Sequence, residues 1–539
     1  MEDRIADPSR LDSRLAWEAA DAVVWLPTAE EMAELDRVAV ASGATTERGL
    51  IESAGREIAR MVARRWPEGP VVALAGSGHN GADALVALRS LVAWGREVAA
   101  VQGGSSPPSP DVLQGWPIAL LPADRLEETV RRGSVLLDGL LGTGLTGPPR
   151  AALADLIERV NGLEVPVVAV DGPSGADFST GRVPGACVRA ALTICLGWPK
   201  LGLLRHPART YCGEIVAVEI GFPPPGAPMG ARAITGRWVR EMLRPRPPGA
   251  HKGDAGYLAL VAGQAGMAGA AALAARGALR GGVGIVRIIS DPANREVLQA
   301  AIPGAIFAPW DDERAVRESL AWAHALVVGP GLGRGEERRR LVERVLELRG
   351  ETPVLLDADA LSVWPGELEA LGRHLGPADL LTPHPGELAR LSGETLQGVR
   401  ADPPTAARRA AATAGCAVLL KGAPSVIAVG AEPLRVSTIG GPALAAGGTG
   451  DVLAGLAGAY LAAGMPPADA GSAALLISGV AAAASPEAVG HVAADLPDRL
   501  PSIRARVARL RRERNDAVVF AAAPDPPLGG EGLRGVPRE

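Results

Sequence analysis

The sequence predicts an α/β protein built from two three-layer αβα domains, and three observations carry that prediction. Short apolar runs alternate with helical patterns along most of the 539 residues. Most of these runs end in a glycine turn or an aspartate, as strands do where a sheet meets a ligand. A proline-rich break divides the chain into two halves, each long enough for a core of its own.

Residues 1–25 are charged and alanine-rich and read as an extension. Thr28, with Glu31 three residues on, is an N-cap pattern, so a helix starts near residue 28. A second helical pattern covers about 47–65. Residues 70–75 form a buried strand, followed by the glycine turn Gly76–Asp83 and a helix through Leu91, the layout of a phosphate-binding junction. A strand at 134–138 ends in Asp138 before Gly142–Pro148, and one at 165–170 runs into Asp171–Gly175. Asp83, Asp138, Asp171 and Ser174 therefore fall at strand ends. Hard oxygen ligands gathered there suit a cation or sugar hydroxyls; in the plainer reading they cap helices and satisfy turns.

Pro223–Pro228 and Arg244–Gly249 bracket a segment read as a Pro/Gly-rich linker at 226–249, between domains at 26–225 and 250–501. His251-Lys-Gly-Asp254 opens the second half. A strand at 257–261, a small-residue helix at 268–281 and a strand at 283–289 follow. Residues 325–328 run into Gly329-Pro-Gly-Leu-Gly333, and residues 354–356 into Asp357-Ala-Asp359. The run from Leu380 carries Thr382-Pro-His-Pro-Gly-Glu387, with His384 held between prolines. The strand from Val418 delivers Lys421, and strands at 425–429 and 434–437 precede Ala446-Gly-Gly-Thr-Gly-Asp451 and its helix. From 502 to 539 an Arg-rich helix leads into sequence expected to be disordered.

Composition narrows the function. A net charge of −5 argues against a nucleic-acid partner. No apolar run approaches the roughly 20 residues of a membrane span, and the opening residues lack the pattern of a signal peptide. Cys187, Cys195, Cys212 and Cys416 form no Cys-x-x-Cys pair, so neither a zinc site nor a disulfide framework is implied. A cytoplasmic protein with no membrane partner is expected. Only three of the 55 basic residues are lysine (Lys200, Lys252 and Lys421), and asparagine is almost as rare. A lysine retained in so arginine-rich a chain is a candidate for work that a guanidinium cannot do.

The stretch at 446–451 carries the clearest chemistry. Backbone N–H groups at a glycine-rich helix start make an anion site. Asp451 in the first turn then lies where a carboxylate can act as a base beside the anion; the plainer reading is an acid complementing the helix dipole.

The second half resembles the ADP-dependent NAD(P)H-hydrate dehydratase family, which has a ribokinase-like fold, through six motifs in the family's order. These are His251–Asp254, Gly329–Gly333, Leu356–Leu361, Thr382–Glu387, Leu420–Ala423 and Ala446–Asp451. The first half resembles the NAD(P)H-hydrate epimerase domain, which is Rossmann-like, through Gly76–Asp83, Asp138–Gly144, Asp171–Gly175 and Pro199–Leu203. Fused in this order, the halves resemble the bifunctional hydrate-repair enzymes of bacteria and archaea.

The resemblance implies that R and S hydrates of NADH or NADPH are interconverted by the first half and that the S form is dehydrated by the second, at the expense of ADP. Asp451 would be the catalytic base, and Gly447, Gly448, Thr449 and Gly450 would cradle the transferred phosphate. Lys421, Gly422, Ala423, Pro424 and Ser425 would hold the nucleotide, and Gly331, Gly333 and His384 would line the hydrate pocket. In the first half His79, Asn80, Gly81, Ala82 and Asp83 would meet the hydrate, with Gly142, Thr143, Gly144, Leu145, Thr146, Gly147, Pro148 and Asp171. Asn80, Asp138 and Ser174 would coordinate potassium. The cofactors expected are ADP, with ATP as the alternate, Mg2+ and K+, and the expected assembly is a homo-oligomer. The chain departs from the epimerase pattern at Ala82 and Ala84, where glycine is usual, and at Ser53, where asparagine is usual. Gly441 and Ala443 depart from the usual Asn-Pro-Gly in the second half. The competing reading is a ribokinase-like small-molecule kinase with a non-catalytic first domain.

Overall fold

The computed structural model describes residues 23–104, 108, 110–145, 147–484, 490–510 and 517–521. It divides into two compact units. One is built chiefly from Met32–Pro223, the other from Pro224–Asn515 together with the described part of Arg14–Glu31.

In the first unit a parallel sheet is formed by β1 (Val71–Ala75), β2 (Val98–Gln102), β3 (Leu120–Leu121), β4 (Val135–Gly139), β5 (Val167–Val170), β6 (Leu192–Leu196) and β7 (Glu214–Val218). Their spatial order is β3-β2-β1-β4-β5-β6-β7. Strands β1, β4, β5 and β6 are buried at every position, which explains why they are apolar but for Asp138 and Thr193. The chain leaves β1 toward β2 and β3, then crosses back to pair β4 on the other side of β1. At such a reversal the loops beyond the carboxyl ends diverge and open a crevice. This order is Rossmann-like, as expected.

The second unit holds β8 (Ala231–Ile234), β9 (Tyr257–Val261), β10 (Ile285–Ser290), β11 (Ala305–Pro309), β12 (Ala325–Val328), β13 (Val354–Leu356), β14 (Leu380–Leu381), β15 (Ala417–Leu420), β16 (Val426–Ala428) and β17 (Leu434–Ser437). They are ordered β11-β10-β9-β12-β13-β14-β15-β16-β17-β8, with β16 running against its two neighbours. Here the order reverses between β9 and β12. The helix Thr449–Ala462 is buried at every residue from Val452 to Ala462 and is accordingly apolar all round. Glycines set its depth. A β-carbon on Gly455 would overlap the carbonyl of Ala274, and one on Gly277 would stand 2.5 Å from the Val452 oxygen. The helix Ala268–Gly281 therefore lies against it backbone to backbone.

Three boundaries differ from the sequence reading. The 226–249 segment is not a free linker: β8 pairs in parallel with β17, and the helix Gly236–Met242 buries Trp238 and Val239 in the second core. Prolines flank these elements rather than interrupt them. Residues 24–26 also belong there, since Leu26 N–H donates to Ala231 O at 2.9 Å and Ala233 N–H to Val24 O at 2.8 Å. The Arg-rich helix begins earlier, at Leu496–Ala508, and places Leu496, Leu500, Ile503 and Val507 in the same core. Its arginines had masked this apolar spacing. Within the stretch read as a disordered tail, β18 (Ala517–Ala521) pairs antiparallel with β7. The rest of that tail past Leu510, and residues 1–22 of the N-terminal extension, lie outside the described residues.

Gly455→Ala forces the Ala274 backbone to move, and overpacking of this kind costs about 1–3 kcal/mol. Thermal melts should show a lowered Tm. Gly269→Ala is the control, because nothing lies within 4 Å of the added methyl, and its Tm should hold or rise.

Candidate active sites

In the second unit the loops beyond β12, β13, β14 and β15 converge on the start of the helix Thr449–Ala462. Gly448 precedes that helix at φ +92°, a conformation that favours glycine, and no side chain caps the helix. The Thr449 hydroxyl instead turns back to the carbonyls of Leu444 and Ala446, at 2.9 and 3.0 Å. The first-turn N–H groups thus remain open to an anion.

Lys421, at the end of β15, lies beside this turn: a β-carbon on Gly450 would sit 3.4 Å from its Nζ. Its ammonium donates to Asp357 Oδ1 at 2.6 Å, and Asp357 is 1% exposed. Burial pulls the Lys421 pKa down, but the Asp357, Glu387 and Asp451 carboxylates outweigh it and leave the pKa raised. Asp451 has the opposite environment. Burial, then the negative charge of Asp357, Asp359 and Glu387 against the pull of Lys421, pushes it up to about 7. A carboxyl so placed changes charge near neutrality, where a general base works best.

Asp359 ties the glycine loop to this cluster by accepting from Gly333 N–H at 2.9 Å and from Arg334 Nε at 3.2 Å. Gly331 and Gly333 both have positive φ, +58° and +86°. Between the two acids, Ala358 is held at φ +50°, an unusual strain for alanine. His384 sits at the rim. Its Nδ1 accepts from Gly386 and Glu387 N–H at 2.9 and 3.2 Å, while the Glu387 carboxylate accepts from His384 N–H at 2.8 Å. The histidine is therefore the N-cap of the helix Pro385–Ser392. Gly422–Ser425 forms the tight β15–β16 turn, where the Ser425 hydroxyl accepts from Gly422 N–H at 3.1 Å.

In the first unit Asn80, Asp83, Asp138, Asp171 and Ser174 lie near the carboxyl ends of β1, β4 and β5. The glycine turn is shorter than read, because His79–Asp83 already belongs to the helix His79–Ala93. Ala82 and Ala84 are buried in that helix at ordinary φ, so their methyls fill core and strain no turn. His79 points outward and pairs with Glu47 at 2.7 Å. Asn80 Nδ2 donates to the carbonyls of Leu141 and Val170, at 3.0 and 2.8 Å, joining the ends of β4 and β5. Gly142 must be small, since a β-carbon would stand 2.6 Å from Asn80 Oδ1. Gly144 faces open space and Gly147 is at φ +88°. Thr146 lies outside the described residues.

Asp138 is fully buried. It accepts from the Ser174 hydroxyl at 2.6 Å and from Ser174 N–H at 2.8 Å, and has no cationic partner among the described residues. Burial raises its pKa to about 6, against those bonds and one from Leu140 N–H. Asp171, at φ +64°, pairs with the buried Lys200 and accepts from Leu196 N–H at 2.9 Å. Asp83 faces the same pair: burial, then Asp171 and Asp36, raises its pKa well above the usual range despite Lys200.

Sequence reasoning missed five of these groups as site residues. Asp357, Asp359, Glu387 and Lys200 all stood inside quoted motifs, and Lys200 was marked by its rarity as well. Asp36, on the helix Ala29–Ala41, gave no signal among its acidic neighbours.

Comparison with known proteins gives both halves a counterpart. A family model described as NAD(P)H-hydrate dehydratase matches residues 258–505, and one described as YjeF-related protein N-terminus matches 47–202. The bifunctional NAD(P)H-hydrate repair enzyme of Salinibacter ruber is 35% identical, covering 90% of this chain and 97% of that protein. The Escherichia coli enzyme of the same description is also 35% identical, covering 78% of this chain and 80% of that one. Among solved structures, an ADP/ATP-dependent NAD(P)H-hydrate dehydratase from Bacillus subtilis, co-crystallised with ATP and Mg2+, is similar at 31% identity. It covers 51% of this chain and 97% of that one, with a TM-score of 0.45. With two thirds and more of such relatives matched end to end, this chain belongs to the family of bifunctional NAD(P)H-hydrate repair enzymes.

Proposed function

We propose that the second domain dehydrates the S hydrate at the turn Gly447–Asp451, with ADP as phosphoryl donor, and that the first domain interconverts the R and S hydrates at the β1–β4 crevice. The observation that carries the first assignment is the meeting of an uncapped helix start, the Lys421 ammonium and a carboxyl that titrates near 7. Asp451 takes the proton of the hydrate hydroxyl as the phosphoryl group arrives. The open N–H groups of Gly450 and Asp451, with Lys421, stabilise the charge on that group. Phosphorylation turns hydroxide into a good leaving group, and its elimination restores the dihydronicotinamide. Asp359, through its bond to Gly333, holds the glycine loop against the hydrate, and the β15–β16 turn at Gly422–Ser425 borders the nucleotide. When bound, Mg2+ would neutralise phosphate charge.

In the first domain a buried carboxylate without a cationic partner, bonded by Ser174 and near the Asn80 amide, fits a monovalent cation. Asn80, Asp138 and Ser174 are the residues that would hold potassium, which would order the crevice around the hydrate. No helix of the described residues is long and apolar enough to cross a membrane. Four free buried cysteines support a reducing, cytoplasmic setting.

Asp451→Asn keeps the shape of the site but removes the base. Dehydration should fall about 10²–10⁴-fold, while calorimetry finds ADP affinity little changed. A near-wild-type rate would remove Asp451 from this role. Because the base must be ionised, kcat/KM for dehydration should fall tenfold per pH unit below about 7 and level off above it. That acid limb should be absent from the residual activity of Asp451→Asn.

A racemic hydrate mixture tests the first domain. The wild-type chain in potassium should repair the whole mixture in one fast phase. Asp138→Asn should repair the S fraction fast and the remainder only at the uncatalysed epimerisation rate. An identical one-phase course for both proteins would contradict the epimerase assignment of this crevice.

A further inference from the structure

The crevice of the first domain holds a second set of ionisable groups, set apart from Asn80, Asp138 and Ser174. Lys200 follows β6 and is 1% exposed. Its ammonium is paired with Asp171 Oδ1 and donates to Leu196 O at 3.1 Å, while Leu196 N–H donates to the same Asp171 oxygen. Asp171 is thus fixed by a cation and a backbone donor, in a left-handed conformation (φ +64°) that asparagine and aspartate tolerate best among side-chain-bearing residues. Asp83 differs. It is 4% exposed, and its side chain makes no hydrogen bond or ion pair among the described residues. Asp36 stands near both, and His79 and Glu47 flank Asp36 on the outer side. Cys195 is buried beneath the Lys200–Asp171 pair, as a thiol whose pKa burial raises far above neutrality.

We propose that Lys200 sets the charges of the epimerase reaction: it holds Asp171 as the carboxylate that acts as base, leaving Asp83 as the carboxyl group that acts as acid. Two carboxyl groups in one site, one paired with a cation and one left bare in a buried place, separate naturally into base and acid. The raised pKa of Asp83, caused first by burial and then by the charges of Asp171 and Asp36, agrees with this division.

The chemistry needs one of each. The hydroxyl-bearing carbon of the hydrate is also bonded to the ring nitrogen. Asp171 takes the hydroxyl proton, the carbon–nitrogen bond breaks, and its electron pair moves onto the nitrogen, where it is conjugated with the ring double bond and carboxamide. Asp83 gives that nitrogen its proton, and the carbon becomes an aldehyde. Rotation about the adjacent carbon–carbon bond presents the other face. The nitrogen then attacks, Asp83 recovers its proton and Asp171 returns the other to the oxygen. Nothing is oxidised or reduced, and no atom is gained or lost. Lys200 touches Asp171 rather than the reacting atoms, so it is a positioning residue.

The inference rests on the epimerase reading of this domain, and the test separates the two. In the 539-residue chain carrying Asp451→Asn, assayed without ADP so that hydrate is not consumed, R-to-S interconversion is followed by chromatography across pH. If that parent fails to interconvert the epimers, the epimerase reading itself fails. If it does, Lys200→Met should lower kcat at neutral pH at least 100-fold, with hydrate affinity within threefold. Its acid limb should move to higher pH, because the base loses the ammonium paired with it; a merely structural lysine would not move that limb. Lys200→Arg should recover part of the rate. Asp83→Asn, nearly isosteric at an unbonded position, should fold, bind hydrate and lose the alkaline limb of the profile. An unshifted acid limb in a folded Lys200→Met, or an intact alkaline limb in Asp83→Asn, would overturn the assignment. Should Lys200→Met fail to fold, the Asp83→Asn profile alone decides it.

Discussion

The backbone contact between the helices Ala268–Gly281 and Thr449–Ala462 carries the chemistry of the second domain. Gly455 meets the Ala274 carbonyl and Gly277 meets that of Val452, so the two helices lie closer than any side chain would allow. Gly458 lets the same helix settle against Val327 on β12. That depth brings the first turn, with its open N–H groups, level with the carboxyl ends of β13 and β15. Lys421 and Asp357 are delivered there by their strands, and the three groups share one site because the helix is held so deep. A larger residue at these glycines would push the helix and its first turn away from Lys421.

Both domains use the same electrostatic device. At each crevice a strand-end aspartate is paired with a lysine: Asp357 with the partly buried Lys421, and Asp171 with the fully buried Lys200. A second carboxyl stands close by without a cation of its own, and burial holds it toward the neutral form, Asp451 in one case and Asp83 in the other. A compact ammonium suits such a place: Lys421 satisfies one oxygen of Asp357, and Lys200 one oxygen of Asp171 and the Leu196 carbonyl, where a planar guanidinium would need a wider slot. Two of the three lysines in this arginine-rich chain occupy these positions. Lys252, the third, is exposed and makes no ion pair among the described residues.

Much of this was legible before any coordinates. Apolar runs ending in glycine or aspartate located the strands because parallel strands covered on both faces are largely apolar, and Asp138, Asp171 and Lys421 fell at their ends for the same reason, while Asp451 was marked by the glycine-rich start of its helix. What stayed hidden depended on contacts distant in sequence. Residues 231–234 look like proline-rich linker until β17 is placed beside them, and nothing local marks Val24–Leu26 as their partner. Asp36 and Glu387 join the sites only through the packing of their helices. His384, expected at the hydrate pocket, also starts a helix through its backbone N–H and Nδ1, a role that needed Glu387 to be placed beside it. Asn80, Asn161 and Asn294 survive in a chain poor in asparagine, and each binds backbone carbonyls that arginine or serine could not reach in the same way.

The most direct test of the account is the balance of products from ADP. Purified S hydrate is incubated with the chain and ADP, and AMP, inorganic phosphate and restored dihydronicotinamide are counted together. Phosphoryl transfer to the hydroxyl followed by elimination predicts one AMP and one phosphate for every nicotinamide restored, with no phosphorylated hydrate accumulating. AMP formed alongside a stable phosphorylated product, with no dihydronicotinamide restored, would contradict it and make the second domain a kinase.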